Sequence, residues 1–163
     1  MGVSGPTQLL TIPPPIHTDD PGSPPPGSIL LDPYGYLSCR INGTTAEGST
    51  RDGKTILVTF WAASPPRVSS FTIYSPDLKP SAFGRLPKVI YTEDDLVLLR
   101  VPICRPEDSL RADNNHYFVY KAGTEDMPPS LKFFFRTEAI TPFPLTRTEI
   151  QVFDPFSKGG EEG

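Results

Sequence analysis

Apolar residues in this chain come in short runs rich in aromatic and β-branched side chains, and these runs begin at about residue 29. Ile29 to Leu31 leads into Tyr34 to Ile41, which reads as a strand. Asn42-Gly43 follows, a dipeptide suited to a tight hairpin turn because both residues tolerate positive φ. The next run, Thr55 to Trp61, is approached through the turn Arg51-Asp52-Gly53-Lys54 and ended by Pro65-Pro66. Val68 to Tyr74 alternates, with Phe71 and Ile73 on one face and Thr72 and Tyr74 on the other. Between Pro80 and Pro87 the pattern allows an irregular connection with one helical turn around Ala82-Phe83. Val89-Ile90-Tyr91 is a short strand. Leu96 to Ile103 is the most continuously apolar segment, and a run without alternation predicts a strand covered on both faces. Pro102 sits near its end, where a missing ladder bond is tolerated. His116 to Lys121, Leu131 to Arg136 and Thr148 to Phe153 complete the series.

Seven or eight short strands separated by Pro, Gly, Asn and Asp define an all-β chain of antiparallel short strands, sandwich-like or partially β-propeller-like. The helical stretches that parallel βαβ units require are missing. With 21 prolines in 163 residues, far above the usual ~5%, long helices are excluded, since proline lacks the amide donor and clashes inside a helix. Residues 1–28 hold eight of those prolines, no aromatic residue, and only two charges, Asp19 and Asp20. That composition predicts a disordered, partly stiff proline-rich leader. Pro21-Gly22-Ser23-Pro24 satisfies PxxP, but the first basic residue that could flank such a ligand is Arg40.

The net charge is −4, with 15 basic and 19 acidic residues mixed along the sequence. A nucleic-acid binder carries a basic field against phosphate repulsion, and here the stretch Arg100 to Arg111 is interrupted by Glu107 and Asp108. Nucleic acid is therefore not an expected partner. Nothing approaches the ~18 apolar residues of a membrane span. The N-terminus lacks the n- and h-regions of a signal peptide, and Pro6 stands where a myristoylation motif wants Ser or Thr. The expected setting is intracellular, cytoplasmic or nuclear. Cys39 and Cys104 then read as reduced, buried small hydrophobes, although the sequence alone leaves one bridge between them open.

Candidate chemistry is sparse. Cys104 and His116 could pair as nucleophile and base, with Asp113 or Asn115 orienting the imidazole, yet nothing local marks Cys104 as activated. Two histidines and two cysteines without CxxC or HxxxH spacing do not form a zinc site. Glu93-Asp94-Asp95 reads as a solvated turn rather than a calcium or glycosidase site, because consecutive side chains diverge. No phosphate-binding glycine loop is present. Asn42-Gly43-Thr44 matches a glycosylation sequon that reads as a turn. No catalytic, cofactor-binding or metal-binding residue is assigned, and no cofactor is expected. Phe133-Phe134-Phe135 places a large ring on each face of a strand, either as core under a covering loop or as a contact patch.

Taken in order, Leu30-Leu31-Asp32-Pro33-Tyr34-Gly35-Tyr36, Val58-Thr59-Phe60-Trp61, Pro65-Pro66-Arg67-Val68-Ser69 and Asp94 to Val101 resemble a grass-expanded plant family, that of domain of unknown function 1618. Asn115 to Tyr120 and Pro128-Pro129-Ser130-Leu131 continue the resemblance, which covers residues 29–131. It implies the N-terminal portion of a longer protein whose named domain lies further on in a β-rich, propeller-like body. From Lys132 the sequence departs from that pattern, so the expected organisation is a leader (1–28), a β-rich domain (29–131) and a divergent C-terminal segment (132–163), apparently truncated, with Phe133 to Phe135 left uncovered. The resemblance supplies no functional residues.

These readings lead to a non-catalytic protein-interaction module of unassigned partner and oligomeric state. The alternatives are an enzyme using Cys104 and His116, or a truncated product that lacks stable function.

Overall fold

A computed structural model describes residues 19–20, 22–24, 26–104 and 115–134. The strand expected at Thr148 to Phe153, the acidic tail and most of the leader lie outside these residues, as do Asp113 and Phe135. The described part is all β, in nine strands with one short 3-10 turn.

The first sheet is built from β1 (Leu30–Leu31), β2 (Tyr36–Leu37), β3 (Ala46–Ser49), β4 (Thr55–Trp61) and β5 (Val68–Tyr74). Its order is β1-β5-β4-β3, with β2 also pairing β5. The second sheet is a four-stranded antiparallel meander of β6 (Lys88–Glu93), β7 (Leu96–Pro102), β8 (Asn115–Lys121) and β9 (Ser130–Phe134). A 3-10 turn at Pro80–Ala82 connects the two, where one helical turn was expected.

The sheets pack face to face. Ile56, Val58, Phe60, Phe71 and Ile73 from the first sheet share one core with Leu99, Val101, Phe118, Tyr120 and Leu131 from the second. Each set occupies alternate positions, as a half-buried strand requires. The off-face positions of β4 and β5 are covered in part: Trp61 donates its indole N–H to Thr72 Oγ1 (3.0 Å) and Arg40 lies over the indole, 5.0 Å from its centre, while Val68 and Tyr74 stay exposed. Thr72 is thereby buried although it points away from the core.

On β7 the absence of alternation has the physical cause anticipated. Leu99 and Val101 enter the shared core, while Leu96 and Leu98 join Phe134 in a second cluster on the opposite face. Phe133 packs toward the shared core, with its ring edge-on to Phe118 at 5.6 Å, and Phe134 is buried on the other side. The expectation that these two rings are left uncovered is corrected: both are packed. β9 runs through Leu131 to Phe134 in unbroken register with β8.

Three local expectations also change. The stretch Tyr34 to Ile41 is not one strand. Within it Tyr36–Leu37 pair with β5 in parallel, as Leu30–Leu31 do upstream, while Tyr34 bridges Lys88 because the backbone between turns aside to the second sheet. There Val89 donates to Pro33 O (2.7 Å) and Gly35 donates to Pro87 O (2.8 Å), joining the two sheet edges. Asn42-Gly43 does not close a hairpin between two paired strands. Neither residue has positive φ, and the Asn42 side chain instead accepts the Thr44 amide (2.7 Å), an Asx turn that launches β3. Strand β3 itself, Ala-Glu-Gly-Ser, lacks the β-branched signature and was not anticipated. Cys39 is exposed and Cys104 half-buried, rather than both buried, and no disulfide joins them.

Candidate functional site

The end of the sandwich where the N-terminal segment meets the β6–β7 turn holds a cleft of about 530 Å³. Its floor is the end of the shared core: Phe60 at the close of β4, Val97 on β7 and Tyr120 on β8. The Phe60 and Tyr120 rings lie 4.5 Å apart, centre to centre. One wall is Pro26 to Ile29 with Leu31; the opposite rim carries Asp94 and Asp95. Asp94 is held in the left-handed region (φ 51°), where the two-residue turn between Glu93 and Leu96 demands it. Of the acidic triplet expected to form a solvated turn, Asp94 is exposed, whereas Glu93 and Asp95 are half-buried and Asp95 Oδ1 is out of solvent.

A second depression of about 500 Å³ adjoins the first across Thr44, Tyr120 and Ala122, and is bounded by Glu125 and Asp126 in the β8–β9 loop. No lysine or arginine lines either space. The partition between them is a hydrogen-bonded post. Tyr120 donates its hydroxyl to the Thr44 carbonyl (2.7 Å), Phe60 donates its amide to Thr44 Oγ1 (2.8 Å), and Asn42 Nδ2 donates to the Phe60 carbonyl (2.9 Å). The single hydroxyl proton of Thr44 is within reach of both Asn42 Oδ1 (2.7 Å) and Phe60 O (2.9 Å). Burial pushes the Tyr120 hydroxyl up to about 12, so it is a neutral donor at any physiological pH. The sequon Asn42-Gly43-Thr44 therefore serves as structure, with its amide turned onto the β4 backbone.

The N-terminal wall is fastened upstream to the β4–β5 connection and downstream to the start of β5. Ser64 donates its amide to Asp19 Oδ1 (3.0 Å) and its hydroxyl to Asp19 Oδ2 (2.6 Å). These two hydrogen bonds hold the Asp19 carboxyl below the ordinary carboxylate value, with a smaller contribution from the Arg67 charge. Downstream, Leu30 and Leu31 pair with Val68 and Ser69.

Cys104 and His116 are not part of this site. Cys104 lies beyond the end of β7, its amide donating to Ala82 O (2.7 Å). His116 sits opposite Val101 in the β7–β8 ladder, with its ring 5.9 Å from that of Phe133. Neither lines either depression. Among the described residues no group of three or more His, Cys, Asp or Glu side chains could hold a metal ion, and no helix is long and apolar enough to cross a membrane. Comparison with protein families, curated proteins and solved structures finds no match for this chain.

Of the residues that build the cleft, Asp94 and Asp95 stand out in the sequence, but as an isolated acidic turn and not as part of a site. Phe60 and Tyr120 read only as strand residues, and Thr44 only as part of a sequon. One signal was available for Asp19: a carboxylate in an otherwise nearly uncharged leader has a reason to be there.

Proposed function

We propose that this chain is a non-catalytic protein-interaction module whose end cleft takes a basic, apolar-anchored segment of a partner protein. The cleft between the sheets carries this reading: an apolar floor of Phe60 and Val97, an apolar wall at Ile29 and Leu31, and carboxylates on the rim. An apolar side chain of the partner would fill the floor, and flanking lysine or arginine would face Asp94 and Asp95. The acidic lining disfavours the phosphate backbone of a nucleic acid. Membership of the plant family of domain of unknown function 1618 belongs to the same proposal and rests on the order of sequence motifs; a cytoplasmic or nuclear location is proposed beside it.

The test is calorimetric titration with a peptide bearing a Leu-Phe anchor between lysines, beside the same anchor between glutamates. Ile29 is 39% exposed, so Ile29→Lys should keep the fold and spoil the wall. The lysine peptide should bind in a salt-sensitive manner, and Ile29→Lys should weaken it about tenfold, since the wall loses apolar surface and gains a charge that repels the peptide's lysines. Equal binding of both peptides, or no effect of Ile29→Lys, overturns the reading.

A further inference from the structure

We propose that Ser64 is a phosphorylation site for a proline-directed kinase, and that its phosphate expels Asp19 and loosens the N-terminal wall of the cleft. The sequence at this point is Ser64-Pro65-Pro66-Arg67. Kinases of the proline-directed class take a serine followed by proline, and one branch prefers a base three residues on. Three other Ser/Thr-Pro pairs, at Ser23, Ser75 and Thr141, have no base at that position. Pro65, Pro66 and Arg67 are exposed in the β4–β5 connection, and Ser64 is half-buried beside them.

The hydroxyl a kinase would modify is the one clasped by Asp19. In the transfer, Ser64 Oγ bonds to the γ-phosphorus of ATP while the bond from that phosphorus to the β–γ bridging oxygen breaks. The hydroxyl proton passes to the kinase's catalytic carboxylate and ADP leaves. A donor is thereby replaced by a group of about −1.5 to −2 charge that only accepts. Facing it is a carboxylate that is ionised at neutral pH. The hydrogen bond to Asp19 Oδ2 is lost, like charges are brought together, and Arg67 becomes the natural partner of the phosphate.

The position of the clasp gives this change a consequence. Asp19 is fastened at Ser64, and Leu30 pairs with Val68, four residues further along at the start of β5. Pro26 to Ile29, which lie in sequence between these two attachments, supply the cleft wall. Freeing Asp19 leaves that wall attached at one side only. The effect on partner binding rests on the function proposed above; the modification and the release do not.

The full chain is incubated with ATP and a proline-directed kinase verified as active on a synthetic peptide of residues 61–68, and sites are mapped by mass spectrometry. Ser64 should be modified in preference to Ser23 and Ser75, and faster in Asp19→Ala, where the hydroxyl is unclasped. Hydrogen exchange at the Ser64 amide, which donates to Asp19 Oδ1, should then rise about tenfold, the equivalent of one lost hydrogen bond to a charged group. Failure to modify Ser64 in both the native chain and Asp19→Ala overturns the site. Modification with unchanged exchange at the Ser64 amide overturns the switch. Both are read without a ligand, so absence of lysine-peptide binding in either form sinks only the cleft reading.

Discussion

Two side chains show how narrowly single residues are specified. Gly35 lies where a Cβ would stand 2.3 Å from the Phe71 ring, and Phe71 is completely buried in the shared core. The ring cannot retreat, so Gly35→Ala should cost about 1–3 kcal/mol, the range for overpacking a core. Gly43 has nothing within 4 Å of the same hypothetical atom, and Gly43→Ala is the matched control. Urea midpoints of the two variants decide the matter: equal midpoints would refute the close approach of the Pro33–Gly35 segment to β5. Tyr120 offers a second test. Its hydroxyl ordinarily ionises near 10 and here ionises near 12, so the folded state favours the neutral form. That contribution is fully present below pH 10 and is lost as pH rises from 10 through 12. Thermal unfolding scanned over pH 8–12 should show an alkaline decline that is flatter in Tyr120→Phe. The variant should also lose about 1 kcal/mol at pH 7, since the Thr44 carbonyl forfeits its donor.

Among the elements, β7 is the strand whose character follows most directly from its residues. Leu98 and Leu99 are consecutive, face opposite ways, and are both fully buried. Leu98→Ala and Leu99→Ala should each cost about 2–5 kcal/mol, as buried leucines do. A sheet covered on one face would lose stability only at Leu99. Chemical denaturation of the two variants separates the cases. The same directness holds for β4, β5 and β8, whose dense β-branched and aromatic runs leave no competing pattern. Legibility fails where partners distant in sequence, rather than residue type, define the element. Strand β3 exists because Ala46 packs into the core and Gly48 lets the Leu131 backbone come close; a Cβ there would meet the Leu131 carbonyl oxygen at 2.9 Å. The segment from Leu30 to Leu37 breaks in two because its middle is recruited by Pro87 and Val89. The cleft was hidden for the same reason. Its residues come from five places along the chain, and none carries a local motif.

For the whole molecule the decisive fact is that one core is shared by two sheets that occupy separate halves of the described sequence. The residues of the first sheet end at Tyr74 and those of the second begin at Lys88, so each could in principle unfold alone. The packing argues against that. Phe60 stacks between Phe71 of its own sheet, at 5.7 Å, and Tyr120 of the other, at 4.5 Å. The edges are joined as well, through Pro33–Val89 and Gly35–Pro87. Separating the sheets would expose the inner faces of both at once, a loss of apolar burial that neither could survive. Unfolding should therefore be a single cooperative transition. The chain carries a built-in reporter, because its one tryptophan, Trp61, is in the first sheet. Leu98→Ala alters the face of the second sheet turned away from the first, yet it should lower the midpoint of the Trp61 fluorescence transition as much as that of far-UV circular dichroism. If the fluorescence midpoint stays at the native value while the dichroism midpoint falls, the sheets unfold independently and the shared core does not couple them.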